Sequence, residues 1–178
     1  MSTRTAIFKE QADGSYQGIY CHHDGYIEGV GAMLNMYYQN PDKIQRVIDK
    51  GVPLSSIGMA EDVKQADIED YRSQRDNDGT LLFCVYVNYQ AEKFIADSLE
   101  KIRGFNYLTL TTNDEIDGYH ETIHDEDVFV PYRGSDNNGY LYVQTLSGTW
   151  LVSYRKSNGD MTKFTPLSRY LQPAERFK

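Results

Sequence analysis

No apolar run in this chain approaches the roughly 20 residues needed to cross a membrane as a helix. The N-terminus, Met-Ser-Thr-Arg-Thr-Ala-Ile-Phe, has no apolar h-region, so no secretory signal is expected. Basic clusters are also missing: the longest basic run is Arg155-Lys156. Proteins that grip nucleic acid by its phosphates normally carry a basic patch, so direct nucleic-acid binding is disfavoured. Cysteine is scarce. Cys21 and Cys84 are the only two, both in apolar strand-like segments. Reduced, buried thiols in a cytoplasm are expected rather than a disulfide. Internal repeats, low-complexity tracts and a convincing linker are absent as well.

What is present is acid and aromatic surface. The 178 residues have a formal net charge of −8 and include 15 tyrosines. With 40% hydrophobic residues the chain can build a core, and its length suits one domain of usual size. Tyrosine buries a ring and keeps a polar tip, which suits both half-buried strands and interfaces. The acids are not spread evenly. Between Asn113 and Asp127 lie Asp114, Glu115, Asp117, Glu121, Asp125, Glu126 and Asp127, with no lysine or arginine among them. A second run, Glu61 to Asp78, sets seven acids against Lys64, Arg72 and Arg75.

Local signals predict the elements. Thr5–Lys9 and Tyr16–Cys21 read as a hairpin turned at Asp13-Gly14, where glycine can take positive φ. A helix is expected from near Ile27, with Val30, Met33, Leu34, Met36, Tyr37 and Tyr38 as a broad apolar face. Asn40-Pro41 breaks it. Asp42 can start a second helix that buries Ile44, Val47 and Ile48 and closes at Gly51. Val52–Gly58 reads as a loop, and residues 59–78 as polar and at most partly helical. Leu82–Val87 is a strand, followed by a helix over Ala91–Arg103 and a strand over Phe105–Thr111. Val128–Val130 is a short strand ending at Pro131. Tyr140–Gln144 and Thr149–Ser153 form a hairpin, Asn158-Gly159 a turn, and Thr165-Pro166-Leu167 opens a short helix. The tail after Pro173 frays.

Two hairpin regions flanking helices, without βαβ alternation, define an α+β fold. The expectation is one compact domain with antiparallel hairpins packed on two to four helices. Residues 1–58 hold a hairpin plus helices, 59–80 an acidic connector, and 81–178 strands, one helix and the C-terminal hairpin.

The order Ser2-Thr3-Arg4, "IYCHHDGYIEGVG", "YYQNPDKIQRVIDKG" and "PLSSIG" resembles a family of small phage and prophage proteins. Their signature is I-Y-C-H-W-D-G-Y-x-x-x-V-G, and His23 stands here where tryptophan is usual. "YLYVQTLSGTWLV" also resembles their late hairpin. The resemblance covers the first third of the chain well and the last quarter loosely. It implies a phage or prophage origin and action in the host cytoplasm, and it carries no catalytic residues.

Three segments could carry chemistry. His120-Glu121-Thr122-Ile123-His124 spells H-E-x-x-H. On a helix, His120 and His124 would share a face and chelate zinc while Glu121 activates water. Gly118, the acids Asp125, Glu126 and Asp127 after the motif, and the lack of a downstream histidine argue instead for a solvated loop or short surface helix. Cys21-His22-His23-Asp24-Gly25-Tyr26 invites a nucleophilic reading. Adjacent strand residues face opposite ways, however, so Cys21 and His22 should not meet. Cys21 is expected in the core and Asp24 as a helix cap. A ligand-binding corner of His22, Asp24 and Tyr26 is the alternative. Gly29-Val30-Gly31 lacks the P-loop lysine and the dinucleotide spacing, so close packing on the hairpin is expected there. The acids show no EF-hand spacing for Ca²⁺.

The expected function is therefore non-enzymatic. An acidic face built on Asp114, Glu115, Asp117, Tyr119, Glu121, Asp125, Glu126 and Asp127 would occupy a basic groove on a host or defence protein. A CRISPR effector or restriction nuclease is the most concrete partner. No cofactor is expected. A hydrolase built on the H-E-x-x-H segment, or a binder of a small ligand such as a nucleotide, are the alternatives.

Overall fold

A computed structural model describes residues 3–66, 71–86, 93–104, 118–131, 139–156 and 160–171. Its centre is β1 (Thr5–Glu10), five of whose six residues are buried. It pairs antiparallel with β2 (Tyr16–Cys21) and parallel with β9 (Tyr140–Gln144). Ile7 faces one hydrophobic cluster, while its neighbours Ala6 and Phe8 face another. A strand buried on both faces loses the apolar-polar alternation, which is why Ala6-Ile7-Phe8 is a continuous apolar run.

Among the described residues nine strands form one mixed sheet. From one edge it runs β11 (Thr165–Pro166), β10 (Trp150–Tyr154), β9, β1, β2, β3 (Leu54–Ser56), β5 (Phe83–Tyr86) and β4 (Ala60–Gln65). Off this path, β6 (Phe94–Ala96) pairs with β2. The class is α+β, as expected. The three parallel pairs, β1 with β9, β2 with β3 and β4 with β5, join segments that a tight turn alone cannot connect.

The first two helices cover one face. A π-turn at Ile27–Gly31 leads into α1 (Ala32–Tyr37), and α2 (Pro41–Asp49) follows. Pro41 takes the first turn of α2, where its missing N–H costs nothing. The cap is Asn40 rather than Asp42: its side chain accepts the Asp42 N–H at 3.0 Å. Gly51, at φ 68°, closes the helix as expected. Ile44, Val47 and Ile48 are fully buried, about 1.5–3 kcal/mol each. The α1 C-terminus is held by side chains of the sheet. Trp150 Nε1 donates to the Tyr38 carbonyl at 2.9 Å. Gln144 Nε2 reaches the carbonyls of Tyr38, Gln39 and Gly148 at 3.0, 3.1 and 3.1 Å. On the opposite face Phe94, Ala96, Met161 and Ile102 of α3 (Leu99–Arg103) close over Phe8, Tyr20, Leu141 and Val143.

Four local expectations are corrected. Val52–Gly58 is not only loop: Leu54 pairs with Cys21 on one side and Tyr86 on the other, making β3 an inner strand. The acidic 59–78 segment supplies β4 and a 3-10 turn at Tyr71–Gln74. The expected 91–103 helix is strand β6 followed by α3 from Leu99, with Ser98 accepting the Lys101 N–H as the cap. Phe94 and Ile95 belong to β6, where period 2 sends Phe94 inward and leaves Ile95 71% exposed. At the C-terminus Thr165–Pro166 pairs with β10, and a 3-10 turn at Leu167–Arg169 replaces the helix. The Phe105–Thr111 strand, the Asn158-Gly159 turn and the tail after Pro173 lie outside the described residues.

Candidate functional site

The H-E-x-x-H segment is a β-ribbon. Strand β7 (Gly118–Ile123) pairs antiparallel with β8 (Glu126–Pro131), with Ile123 opposite Glu126. This replaces the expected loop or short helix. The two residues between the strands, His124 and Asp125, have φ 51° and 65°. Positive φ at both central positions is the type I′ arrangement, whose twist matches a two-stranded ribbon. His and Asp are among the few non-glycine residues that visit this region.

This geometry takes the zinc motif apart. His120 lies within the strand and His124 in the turn, so they do not share a helical face. Four extended residues span roughly 13 Å, about twice the separation on one helical face. Glu121 points to the face opposite His120. His120 Nδ1 instead lies 3.3 Å from Asp127 Oδ1 across the ribbon, both side chains well exposed. Among the described residues no three His, Cys, Asp or Glu side chains converge in a group that could hold a metal ion.

The ribbon is a two-stranded sheet separate from the nine-stranded one. Every residue from 119 to 127 is exposed. Alternation puts Tyr119, Glu121 and Ile123 on one face, with Glu126 opposite Ile123. Tyr119 is 46% and Ile123 41% exposed. The face thus carries two large apolar side chains flanked by carboxylates. Asp125 sits at the tip and Asp127 on the other face. Of the expected acidic surface, Asp114, Glu115 and Asp117 lie outside the described residues.

The Cys21–Tyr26 segment builds a different place. Strand β2 ends at Cys21, and His22 and His23 donate their backbone N–H groups to Leu54 and Ser55 at 3.0 and 2.9 Å. Cys21 is fully buried, and burial pushes its thiol up to about 12. A protonated, enclosed thiol is a poor nucleophile. Cys84 is buried too, and both cysteines are free thiols. The chain then turns sharply through Asp24 at φ 60°. The expected capping role of Asp24 is corrected. The residue before the π-turn is Tyr26, with no side-chain cap, and it is the Asp24 backbone carbonyl that accepts the Val30 N–H at 2.8 Å. That approach explains Gly29, where a Cβ would come within 2.3 Å of the same carbonyl. The close packing expected at Gly29-Val30-Gly31 has partners other than the hairpin: Gly31 makes it against Tyr142 and Leu167. Gly25 does lie against the hairpin, at Thr5 of β1, and against the Thr3 carbonyl.

The ligand corner also changes membership. Tyr20 Oη and His22 Nδ1 are 2.5 Å apart, so His22 is engaged beside its own strand. Asp24 and Tyr26 remain together, the tyrosine hydroxyl donating to Asp24 Oδ1 at 3.3 Å. With His23 in place of His22 they line a cleft of about 380 Å³. The Asp24 charge raises the Tyr26 hydroxyl above the ordinary tyrosine range, with desolvation, their hydrogen bond and Glu28 adding to it.

One wall of the cleft is the π-turn and α1, from which Met33, Met36 and Tyr37 face it. The second wall is the tight turn Arg75–Leu81, closed by a bridge between its ends. Asp76 accepts the N–H groups of Asp78 and Thr80, each at 2.9 Å. Sequence reasoning misses both walls as functional surfaces. The available signal is the width of the apolar face between Val30 and Tyr38. Val30, Leu34 and Tyr38 go to the core, and Met33, Met36 and Tyr37 are more than one buried stripe requires.

The fold and these two places define an α+β chain with an exposed acidic ribbon and a half-open cleft. Comparison with protein-family models, with curated proteins and with solved structures found no match. No helix of the described residues is long and apolar enough to cross a membrane.

Proposed function

We propose that the chain is a non-enzymatic binding protein that seats the β7–β8 ribbon in a basic groove of another protein. One observation carries this reading. Residues 119–127 are exposed on both faces of a ribbon that pairs with no third strand among the described residues. An isolated two-stranded ribbon is marginal in water, so its apolar side chains gain most from a partner. Tyr119 and Ile123 supply an anchor of the kind that dominates interfaces, and the carboxylates around them supply steering.

The class of partner follows from charge. Basic protein grooves commonly hold nucleic acid, and an acidic ribbon would compete for such a groove. The resemblance of residues 2–58 to small phage proteins supports a host or defence protein as target, a CRISPR effector or restriction nuclease in its most specific form. Inhibition would then be steric.

The test is capture from host lysate by the wild-type chain and by the triple variant Asp125→Lys, Glu126→Lys, Asp127→Lys, followed by titration of the captured protein at two salt concentrations. The expected result is at least about tenfold weaker binding by the variant, with a flatter salt dependence, and displacement of the partner's nucleic acid by wild type only. Equal affinity of the two chains would remove the ribbon from the interface.

A further inference from the structure

The 380 Å³ cleft lies within the size range of small-molecule sites. Its lining is mixed, and the apolar, polarizable part includes Val30, Met33, Met36 and Leu81. Its polar groups are unevenly signed: Asp24 and Glu28 sit on the rim, against one cation, Arg75, from the opposite wall. The Arg75 guanidinium donates to the Gly79 carbonyl of its own turn at 3.1 Å. Tyr26 and Tyr37 add two aromatic rings to the same wall as the carboxylates. The strained stretch of backbone, Asp24 at φ 60° followed by the π-turn, is what brings Asp24, Tyr26 and Glu28 to one rim. Such irregular backbone often marks functional positions.

A phosphate-bearing ligand would meet two carboxylates at this rim. A bare metal ion would find no third ligand among the described residues. A protonated amine or amidine meets carboxylates and ring faces together, the combination that favours organic cations. We propose that this cleft binds a small organic cation with an apolar body, the cationic head between Asp24, Glu28 and Tyr26 and the body against Met33 and Met36. This site is independent of the ribbon.

The probe is 4-phenylbutylammonium, compared with its neutral counterpart 4-phenylbutanol. The readout is the methionine methyl NMR signals of the full chain. The expected result is saturable movement of Met33 and Met36, with Met161, buried on the opposite face of the sheet, unmoved. The alcohol should bind at least tenfold more weakly. Asp24→Asn with Glu28→Gln should weaken the ammonium at least tenfold and leave the alcohol unchanged. Asparagine tolerates the positive φ at position 24, so this variant keeps the fold. Arg75→Gln should tighten the ammonium a fewfold. The triple lysine variant of the ribbon should bind the probe like wild type, which separates failure of this site from failure of the ribbon. Equal binding of alcohol and ammonium, unmoved Met33 and Met36, or an ammonium affinity indifferent to the carboxylates overturns the proposal. A lysine tripeptide that binds more tightly than the probe reassigns the cleft to a protein side chain and overturns the small-molecule assignment.

Discussion

Two hairpins of this chain have six paired positions each and opposite fates. In β1–β2, Thr5 to Glu10 face Cys21 to Tyr16, and Ala6, Ile7, Phe8, Ile19, Tyr20 and Cys21 are all buried. In β7–β8, Gly118 to Ile123 face Pro131 to Glu126, and residues 119–127 are all exposed. Backbone pairing is alike in the two. What differs is the cover: two hydrophobic clusters for the first, water over residues 119–127 of the second. Pairing sets the shape of a ribbon, and burial sets its stability. The first hairpin should open only with the whole fold, the second locally.

The widest gap between them should appear on truncating one large side chain in each. Phe8 is fully buried, 6.1 Å from the Phe94 ring centre. Phe8→Ala is expected to cost about 3–5 kcal/mol in urea unfolding. Tyr119→Ala should change stability by no more than about 0.5 kcal/mol while weakening partner capture. Comparable losses from the two would mean that the ribbon is part of the core, and the comparison would fall.

A smaller effect tests polar groups in the same way. Gln144 is fully buried, and its amide serves three carbonyls at the end of α1 and the β9–β10 turn. Gln144→Leu keeps most of the volume and removes the donors. About 1–3 kcal/mol should be lost, less if Trp150 holds the Tyr38 carbonyl alone. The matched change in the ribbon, Thr122→Val, should be neutral or slightly stabilising, because the position is exposed and valine favours strands. A marked loss there would reveal a partner for Thr122 that the exposed geometry does not provide.

Where sequence carried this fold, a local rule applied. The turns at Gly14 and Gly51, the break at Asn40-Pro41 and the β9–β10 hairpin each rest on residues close to one another in the chain. Where it did not, a distant partner decided. Leu54–Ser56 reads as loop because three residues carry no period, and it becomes a strand because β2 and β5 lie on either side. Phe94 and Ile95 fit a helical stripe, yet β2 captures them as a strand. Parallel pairing of β1 with β9 joins positions 135 residues apart, as Thr5 with Tyr140, and leaves no trace in either segment alone. The candidate site divides in the same way. Asp24 and Tyr26 are two residues apart and readable as a pair, and so are the acids of the ribbon. The Arg75–Leu81 wall comes from a distant segment, and His23 displaces His22 because Tyr20 holds the His22 ring.

The smallest expected effect concerns the ribbon turn. A type I′ turn needs positive φ at both central residues, and Asn-Gly satisfies this with the least steric conflict. His124 and Asp125 adopt it at φ 51° and 65° with full side chains. The double substitution His124→Asn with Asp125→Gly relieves that conflict. Glycine also adds conformational freedom to the open state, so the two contributions partly cancel. The net expectation is a slowing of amide exchange by about two- to fivefold in β7 and β8. Exchange in β1 and β2, and the urea midpoint of the chain, should not move. The measurement is made on the free protein, so loss of the Asp125 charge does not enter through a partner. Slower exchange confined to the ribbon would show that it opens by itself, as a strand pair with exposed faces must. Slowing that spread to β1 and β2 would mean that both hairpins open together, and that the exposed ribbon draws its stability from the core after all.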